Sequence, residues 1–392
     1  MENKNYDIVV VGGGIHGVGT AQAAAANGYS TLLLEKETLA SATSSRSSKL
    51  IHGGLRYLES GNLHLVYECL RERHLLLVNA PSLVKMIPFN IPIYKSTSRP
   101  PFIIRIGLTL YFALAGFRME AIFRSVPKSE WSGLDGLTTD DLKAVFRYGD
   151  AQTDDRLLTE SIMRSAQKLG ADLATQAEFI GAEYGSEGWA VSYKQNGKSN
   201  NVRASVIINC AGPWINDVLR RVTPRQKEAS VEFVAGTHIL LDGKLDKGVY
   251  FVEAPQDKRA VLIMPWQDKI LIGTTETVFK GDPAKIEPLE EEKEYLLKTL
   301  AKYFPKFKGA TKADIIESFA GIRVLPTGED DPFHRSRETF FHHGNLKEAP
   351  MLTICGGKLT SYRATSEKII RAVSPLLPSR MRIADTRRLR LE

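Results

Sequence analysis

Gly12, Gly14 and Gly17 stand in the spacing G-x-G-x-x-G, between the β-branched run 8–11 and the alanine-rich stretch 21–26. The chemistry of such a turn is the holding of a pyrophosphate. Gly12 permits the tight turn, Gly14 lets the backbone approach the phosphates, and Gly17 allows close packing of helix on strand. The helix N-terminus then offers free N–H groups and the positive end of its dipole. Glu35 lies 18 residues after Gly17, at the end of the apolar run 31–34. A carboxylate there accepts hydrogen bonds from an adenosine ribose and disfavours a 2′-phosphate, so NADP is not expected, although Lys36 follows directly. The pattern alone does not choose between FAD and NAD. The hydroxyl-rich run 41–48 leans toward FAD, since it suits a more extended pyrophosphate, but it also reads as a solvated loop.

Other chemistries find less support. Cys69, Cys210 and Cys355 are far apart, with no C-x-x-C and no histidine cluster. That argues against a disulfide framework and a zinc site, and fits a reducing compartment. Cys210 and Cys355 each end an apolar run and read as buried strand-end thiols.

These residues need a frame. Residues 8–34 form a strand–helix–strand pattern, a βαβ unit. Helices are expected over 59–78, 154–169, 287–304 and 360–373, and buried strands over 206–209 and 351–355. Alternating runs at 248–253, 260–265 and 270–274 suggest a mostly antiparallel sheet. The proline-punctuated segment 81–101 reads as irregular or edge structure. The fold class is α/β, a Rossmann-like nucleotide-binding domain with a sheet-rich substrate-binding domain inserted. The first is discontinuous, over 1–95, 145–230 and 325–373; the second takes 96–144 and 231–324. The 392 residues suit two domains. The basic tail 374–392 reads as a frayed end.

A hydrophobic content of 43% with 25% charged residues excludes disorder as the main state. The net charge of +7 suits an anionic partner or simply solubility. Nucleic acid is not expected, because the arginines collect in the tail with no aromatic platform among them. The polar N-terminus does not read as a signal peptide, and no apolar run reaches the roughly 20 residues of a membrane span. The apolar stretch 102–117 contains Arg105 and is flanked by Arg99, Arg118 and Arg124. Taken alone it reads as a core helix or subunit contact before a helix lying in a membrane interface.

The run Ala42-Thr43-Ser44-Ser45-Arg46-Ser47-Ser48-Lys49-Leu50-Ile51-His52-Gly53-Gly54-Leu55-Arg56-Tyr57-Leu58-Glu59 closely resembles the signature of flavin-dependent glycerol-3-phosphate dehydrogenases. These are the respiratory type within the D-amino-acid-oxidase-like flavoproteins. Asn209–Trp214, Gly236–His238, Ile272–Glu276, Gly321–Arg323 and Gly356–Thr360 match in the same order, so the resemblance spans about 6–373. Cys210 stands where the family often has threonine. The family usually continues past this point into a helical C-terminal domain, and the resemblance therefore implies a form without that domain.

The resemblance implies non-covalent FAD, oxidation of sn-glycerol 3-phosphate to dihydroxyacetone phosphate, and electrons passed to a quinone. It implies a cytoplasmic protein, peripheral on the inner face of the cell membrane, and so reverses the reading of 102–117. For the cofactor it implies Gly12, Gly14, Gly17, Ile15, His16, Glu35 and Lys36, then Thr43, Ser44, Ser45, Ser48, Lys49, Leu50, Gly53 and Gly54. From later in the chain it adds Ala211, Gly212, Trp214, Gly357, Lys358, Leu359 and Thr360.

Oxidising a secondary alcohol with a flavin removes a hydride from carbon and a proton from oxygen. By resemblance Arg56, Arg323 and Lys358 line the substrate site, with Tyr57 and Arg337 as further candidates. Arginine suits a phosphate dianion through its planar fork. His238 is the first candidate for general base, since imidazole titrates near neutrality. A structural histidine is its rival, and Glu276 and His52 are alternatives. Arg323 or Lys358 also suits electrostatic stabilisation of the developing alkoxide. The competing functions are a glycerol-3-phosphate oxidase, a 2-hydroxy-acid dehydrogenase, and a flavin-binding subunit without turnover.

Overall fold

Every residue of the strand Asn5–Val11 after Asn5 is buried, which its β-branched sequence suits. It pairs in parallel with Thr31–Leu34 on one side and with Lys198–Asn209 on the other. The helix Ile15–Ala26 between them is buried along nearly all its length, as small alanine side chains allow. It packs against the helices Asp155–Lys168 and Tyr362–Val373. The computed structural model of the chain describes residues 4–327, 339–344, 346 and 348–392.

Two sheets organise these residues. The first has nine strands and is parallel at its centre, where Met351–Cys355 joins the C-terminal half of Lys198–Asn209. The second has ten strands. Its spine is Val231–Asp242 paired antiparallel with Ile315–Pro326 on one edge and with Lys269–Gly273 on the other.

The expected βαβ unit, the helices and the alternating strands all form, with ends shifted by a few residues. The segment 81–101 differs. It contains an eleven-residue strand, Val84–Tyr94, paired antiparallel along its whole length with Leu142–Thr153. Pro88 and Pro92 are four residues apart, so both remove donors from the same edge and leave the other edge's ladder whole. Both strands fall in the second sheet, although 1–95 and 145–230 were assigned above to the nucleotide-binding side. Pairing partner decides the sheet, not nearness in the chain.

The tail is not frayed. Ile383 N and Ala384 N donate to the carbonyl of Ala26, and Leu391 is buried with its N–H on the carbonyl of Asn79. The guanidinium of Arg380 pairs with Asp7 at 3.1 Å. The stretch 102–117 is not a core helix either. In the helix Pro101–Leu114 only Leu108 and Tyr111 are buried, while Phe102 and Ile106 are about 60% exposed and Phe117, just beyond, is 68% exposed. Among the described residues no helix is long and apolar enough to cross a membrane.

Candidate active site

A cavity of about 510 Å³ is lined by residues of both sheets, a size typical of small-molecule sites. At one end is the glycine turn. A Cβ on Gly12 would lie 2.6 Å from the carbonyl oxygen of Cys210, and one on Gly17 only 1.8 Å from that of Gly12. No larger residue fits either place. Gly14 caps the helix in extended backbone without a side-chain cap, and Ile15 N donates to Ser44 Oγ at 2.9 Å. The carboxylate of Glu35 accepts from Gly13 N and Glu37 N, both at 2.7 Å. Burial nevertheless holds its pKa above the usual carboxylate range. The ammonium of Lys36 sits 3.7 Å from the ring centre of Trp214, and both line the cavity with Ala211 and Gly212.

The far end of the chain closes on this turn. Gly357 has φ +103°, and a Cβ there would lie 2.2 Å from His16 Nε2. Both ring nitrogens of His16 are buried without a hydrogen-bond partner among the described residues, and burial lowers its pKa to about 4. Leu359 and Thr360 continue the wall; Thr360 Oγ1 accepts from His52 N at 3.2 Å.

The hydroxyl-rich loop is held from behind. Asp155, fully buried, accepts from Ser47 N and Ser47 Oγ at 3.0 and 2.6 Å, and from Lys49 Nζ at 2.7 Å. Lys49 also donates to the Ser45 carbonyl at 2.6 Å. Thr43, Ser44, Ser48 and Leu50 therefore face the cavity, whereas Gly17, Ser45, Lys49 and Gly53 stand behind its wall. Gly54, with φ +75°, turns the chain into the short helical turn Leu55–Leu58 that carries Arg56 and Tyr57.

His238, on Val231–Asp242, is 2% exposed and stacks on Phe319 at 5.0 Å between ring centres. Its Nε2 lies 2.8 Å from Ser48 Oγ, and its Nδ1 has no partner among the described residues. In the neighbouring strand Gly273 stands opposite, where a Cβ would come within 2.1 Å of the imidazole. Burial, then Arg323 and Lys49, lowers the pKa of His238 to about 3.

Arg323 lies on Ile315–Pro326. Its Nη2 donates to Thr274 Oγ1 at 3.2 Å, and its Nη1 is 3.7 Å from the Glu276 carboxylate. The absent side chain of Gly236 makes room for this guanidinium, which a Cβ would approach to 2.8 Å. Lys358 Nζ is buried without a hydrogen-bond partner among the described residues and lies 3.4 Å from the Tyr57 ring centre. Arg56 flanks the same ring at 5.8 Å. Burial brings His52 to about 4, with Asp150 opposing the shift. Arg337 lies outside the described residues.

Sequence reading missed the supports: Asp155 behind the loop, Thr274 on Arg323, and the buried set Arg73, Asp150 and Tyr111 behind Gly53. Asp155 opens a helix, where an acid ordinarily signals only the helix end; nothing local says that it reaches back to residues 45–49.

Arg323, Lys358 and Arg56 on one cavity suit an anion. The glycine turn at a helix N-terminus and the orphaned nitrogens of His16 and Lys358 suit a bound dinucleotide, because buried polar atoms normally find partners. FAD therefore fits the residues present.

A family model described as FAD dependent oxidoreductase matches residues 7–363. A glycerol-3-phosphate dehydrogenase of Pseudomonas tolaasii is 36% identical over 374 residues, covering 94% of this chain and 72% of the relative. A D-erythritol 1-phosphate dehydrogenase of Brucella abortus is 34% identical over 383 residues, covering 96% of this chain and 75% of the relative. The X-ray structure of the glycerol-3-phosphate dehydrogenase from Bacillus halodurans complexed with FAD superposes with a TM-score of 0.75 at 27% identity, over 100% of this chain and 68% of that one.

Proposed function

The chain belongs to the family of FAD dependent oxidoreductases, and on that premise we propose that it oxidises sn-glycerol 3-phosphate to dihydroxyacetone phosphate and delivers the electrons to a quinone. The observation that carries this reading is the convergence of Arg56, Arg323, Lys358 and His238 on the cavity that also contains the glycine turn. FAD, when bound, supplies the acceptor for the hydride that leaves C2. The rest is the work of this chain's side chains.

Arg323, Lys358 and Arg56 hold the phosphate. Tyr57, between two cations, keeps Lys358 pointed into the cavity. His238 takes the hydroxyl proton. Its Nε2 lies 2.8 Å from Ser48 Oγ, and both residues line the cavity. Part of its lowered pKa comes from Arg323; a phosphate dianion on that guanidinium offsets the effect and makes the imidazole a better base when substrate is present. The products are a ketone, a reduced flavin and a protonated imidazole.

The division of labour follows the sheets. Segments of the nine-stranded sheet hold the cofactor, and the ten-stranded sheet carries His238 and Arg323 for the substrate. The exposed helix Pro101–Leu114, with Arg99, Arg118 and Arg124 beside it, is the surface by which the protein rests on the inner face of the cell membrane, near its quinone.

Adding sn-glycerol 3-phosphate to the oxygen-free holoprotein tests the reading. Bleaching of the flavin spectrum with appearance of dihydroxyacetone phosphate is expected; a spectrum that stays oxidised overturns it. Rapid peroxide formation in air would favour an oxidase over a quinone-linked enzyme.

A further inference from the structure

The carboxylate of Glu292 gathers three threonine hydroxyls. Its Oε2 accepts from Thr237 at 2.5 Å, and its Oε1 from Thr275 and Thr277, each at 2.7 Å. Leu289 N adds a fourth contact at 3.3 Å. Glu292 is 7% exposed and lies in the first turn of the helix Glu290–Tyr303. A glutamate at that position often serves its own helix by reaching back to the N-cap N–H. Here that contact is the longest of the four. The three short ones run across to Thr237 on the strand Val231–Asp242, to Thr277 on the short strand Thr277–Phe279, and to Thr275 just before it.

The threonines are not scattered. Thr237 immediately precedes His238, and Thr275 immediately precedes Glu276. The two are tied to each other as well, Thr237 N donating to Thr275 Oγ1 at 2.9 Å and Thr275 N to the Thr237 carbonyl at 3.3 Å. Side chains alternate along a strand. With the Thr237 hydroxyl drawn to one face, His238 is turned to the other, toward Ser48 and the cavity. A charged acceptor buried among hydroxyls makes strong, directional bonds that are costly to leave unmade.

We propose that Glu292 is a positioning residue for the reaction: it fixes Thr237 and the segment at Thr275 beside it, and so sets His238 over the substrate hydroxyl. It touches neither substrate nor cofactor. The proposal rests on the reading of His238 as base, and the test separates the two.

Reduction of the bound flavin by sn-glycerol 3-phosphate is followed without oxygen in the holoprotein, its Glu292→Ala and His238→Ala variants and the double variant. A positioning loss costs up to about 10²-fold in rate. Glu292→Ala is expected to slow the limiting rate about tenfold or more with flavin content retained, and Glu292→Gln to recover much of it. Groups that act as one unit are not additive, so the double variant should be no slower than His238→Ala alone. Losses that multiply in the double variant overturn the proposal, as does a wild-type rate in Glu292→Ala. If His238→Ala keeps the wild-type rate, the base assignment falls; if Glu292→Ala is then still slow, Glu292 acts through another residue and the proposal falls with it. Should Glu292→Ala fail to fold, Thr237→Val removes one of the three hydroxyls at constant shape. It is expected to slow the rate in wild type but not in His238→Ala, and any other pattern overturns the proposal.

Discussion

Ser48 Oγ lies 2.8 Å from His238 Nε2, although 190 residues separate them in the chain. The loop held by Asp155 thus supplies the hydroxyl that orients an imidazole on the opposite sheet. His238→Ala is expected to lower the rate of flavin reduction about 10²-fold or more, the usual scale for a positioned base. Ser48→Ala should cost less, since the imidazole remains. Stopped-flow reduction without oxygen measures both, and an unchanged rate in His238→Ala removes it from the chemistry.

Three histidines line the cavity with lowered pKa values, His16 and His52 at about 4 and His238 at about 3. An unfolded histidine titrates near 6.5. Below that pH the unfolded chain binds more protons than the folded one, so stability is complete above about 6.5 and declines as pH falls toward 4. Each histidine contributes roughly 1.4 kcal/mol per pH unit within that window. Urea midpoints of the flavin-free protein should therefore fall between pH 7.5 and 5, and His238→Asn should flatten the dependence. Equal midpoints at both pH values would contradict this account.

Arg73 and Asp150 form an ion pair in which each side chain is 1% exposed. Tyr111 OH donates to the same carboxylate at 2.7 Å and accepts from Gly53 N at 2.9 Å. Asp150→Asn leaves the Arg73 charge buried and uncompensated, which costs about 3–5 kcal/mol. A large drop in melting temperature is expected, with weaker substrate binding because Gly53 adjoins the turn that carries Arg56. A melting temperature within a degree of wild type would sink the idea.

Gly17→Ala tests the cofactor end. Its Cβ would sit 1.8 Å from the Gly12 carbonyl oxygen, so the turn has to open. The purified variant should carry little FAD by its visible absorbance. Full flavin loading would show that the turn is not the cradle.

The apolar outer face of Pro101–Leu114 leads to a further expectation. Each exposed phenylalanine or isoleucine contributes roughly 1.5–3 kcal/mol if fully buried in lipid. The triple replacement of Phe102, Ile106 and Phe117 by serine should abolish co-sedimentation with anionic liposomes at low salt and leave flavin reduction intact. Undiminished sedimentation would place the membrane contact elsewhere.

The sequence by itself determined the elements whose signals are local. The G-x-G-x-x-G turn, the β-branched strands on either side of it and the helix ends depend on residues within a turn or two of one another, so their physics is complete in a short window. The signature around Arg56 and Tyr57 likewise carries its own spacing. Tertiary structure alone decided the rest. Strand 84–94 forms despite its prolines because a partner distant in the chain, pairing Val84 with Thr153 and Tyr94 with Leu142, offers a full ladder on one edge. The tail docks because Asn79, Ala26 and Asp7, all distant in sequence, present the right carbonyls and carboxylate. The orientation of His238 depends on Ser48, Gly273 and Thr237, which come from a loop, a neighbouring strand and its own strand. Hydrogen bonds and close packing act over a few ångströms of space, and no distance along the chain encodes them.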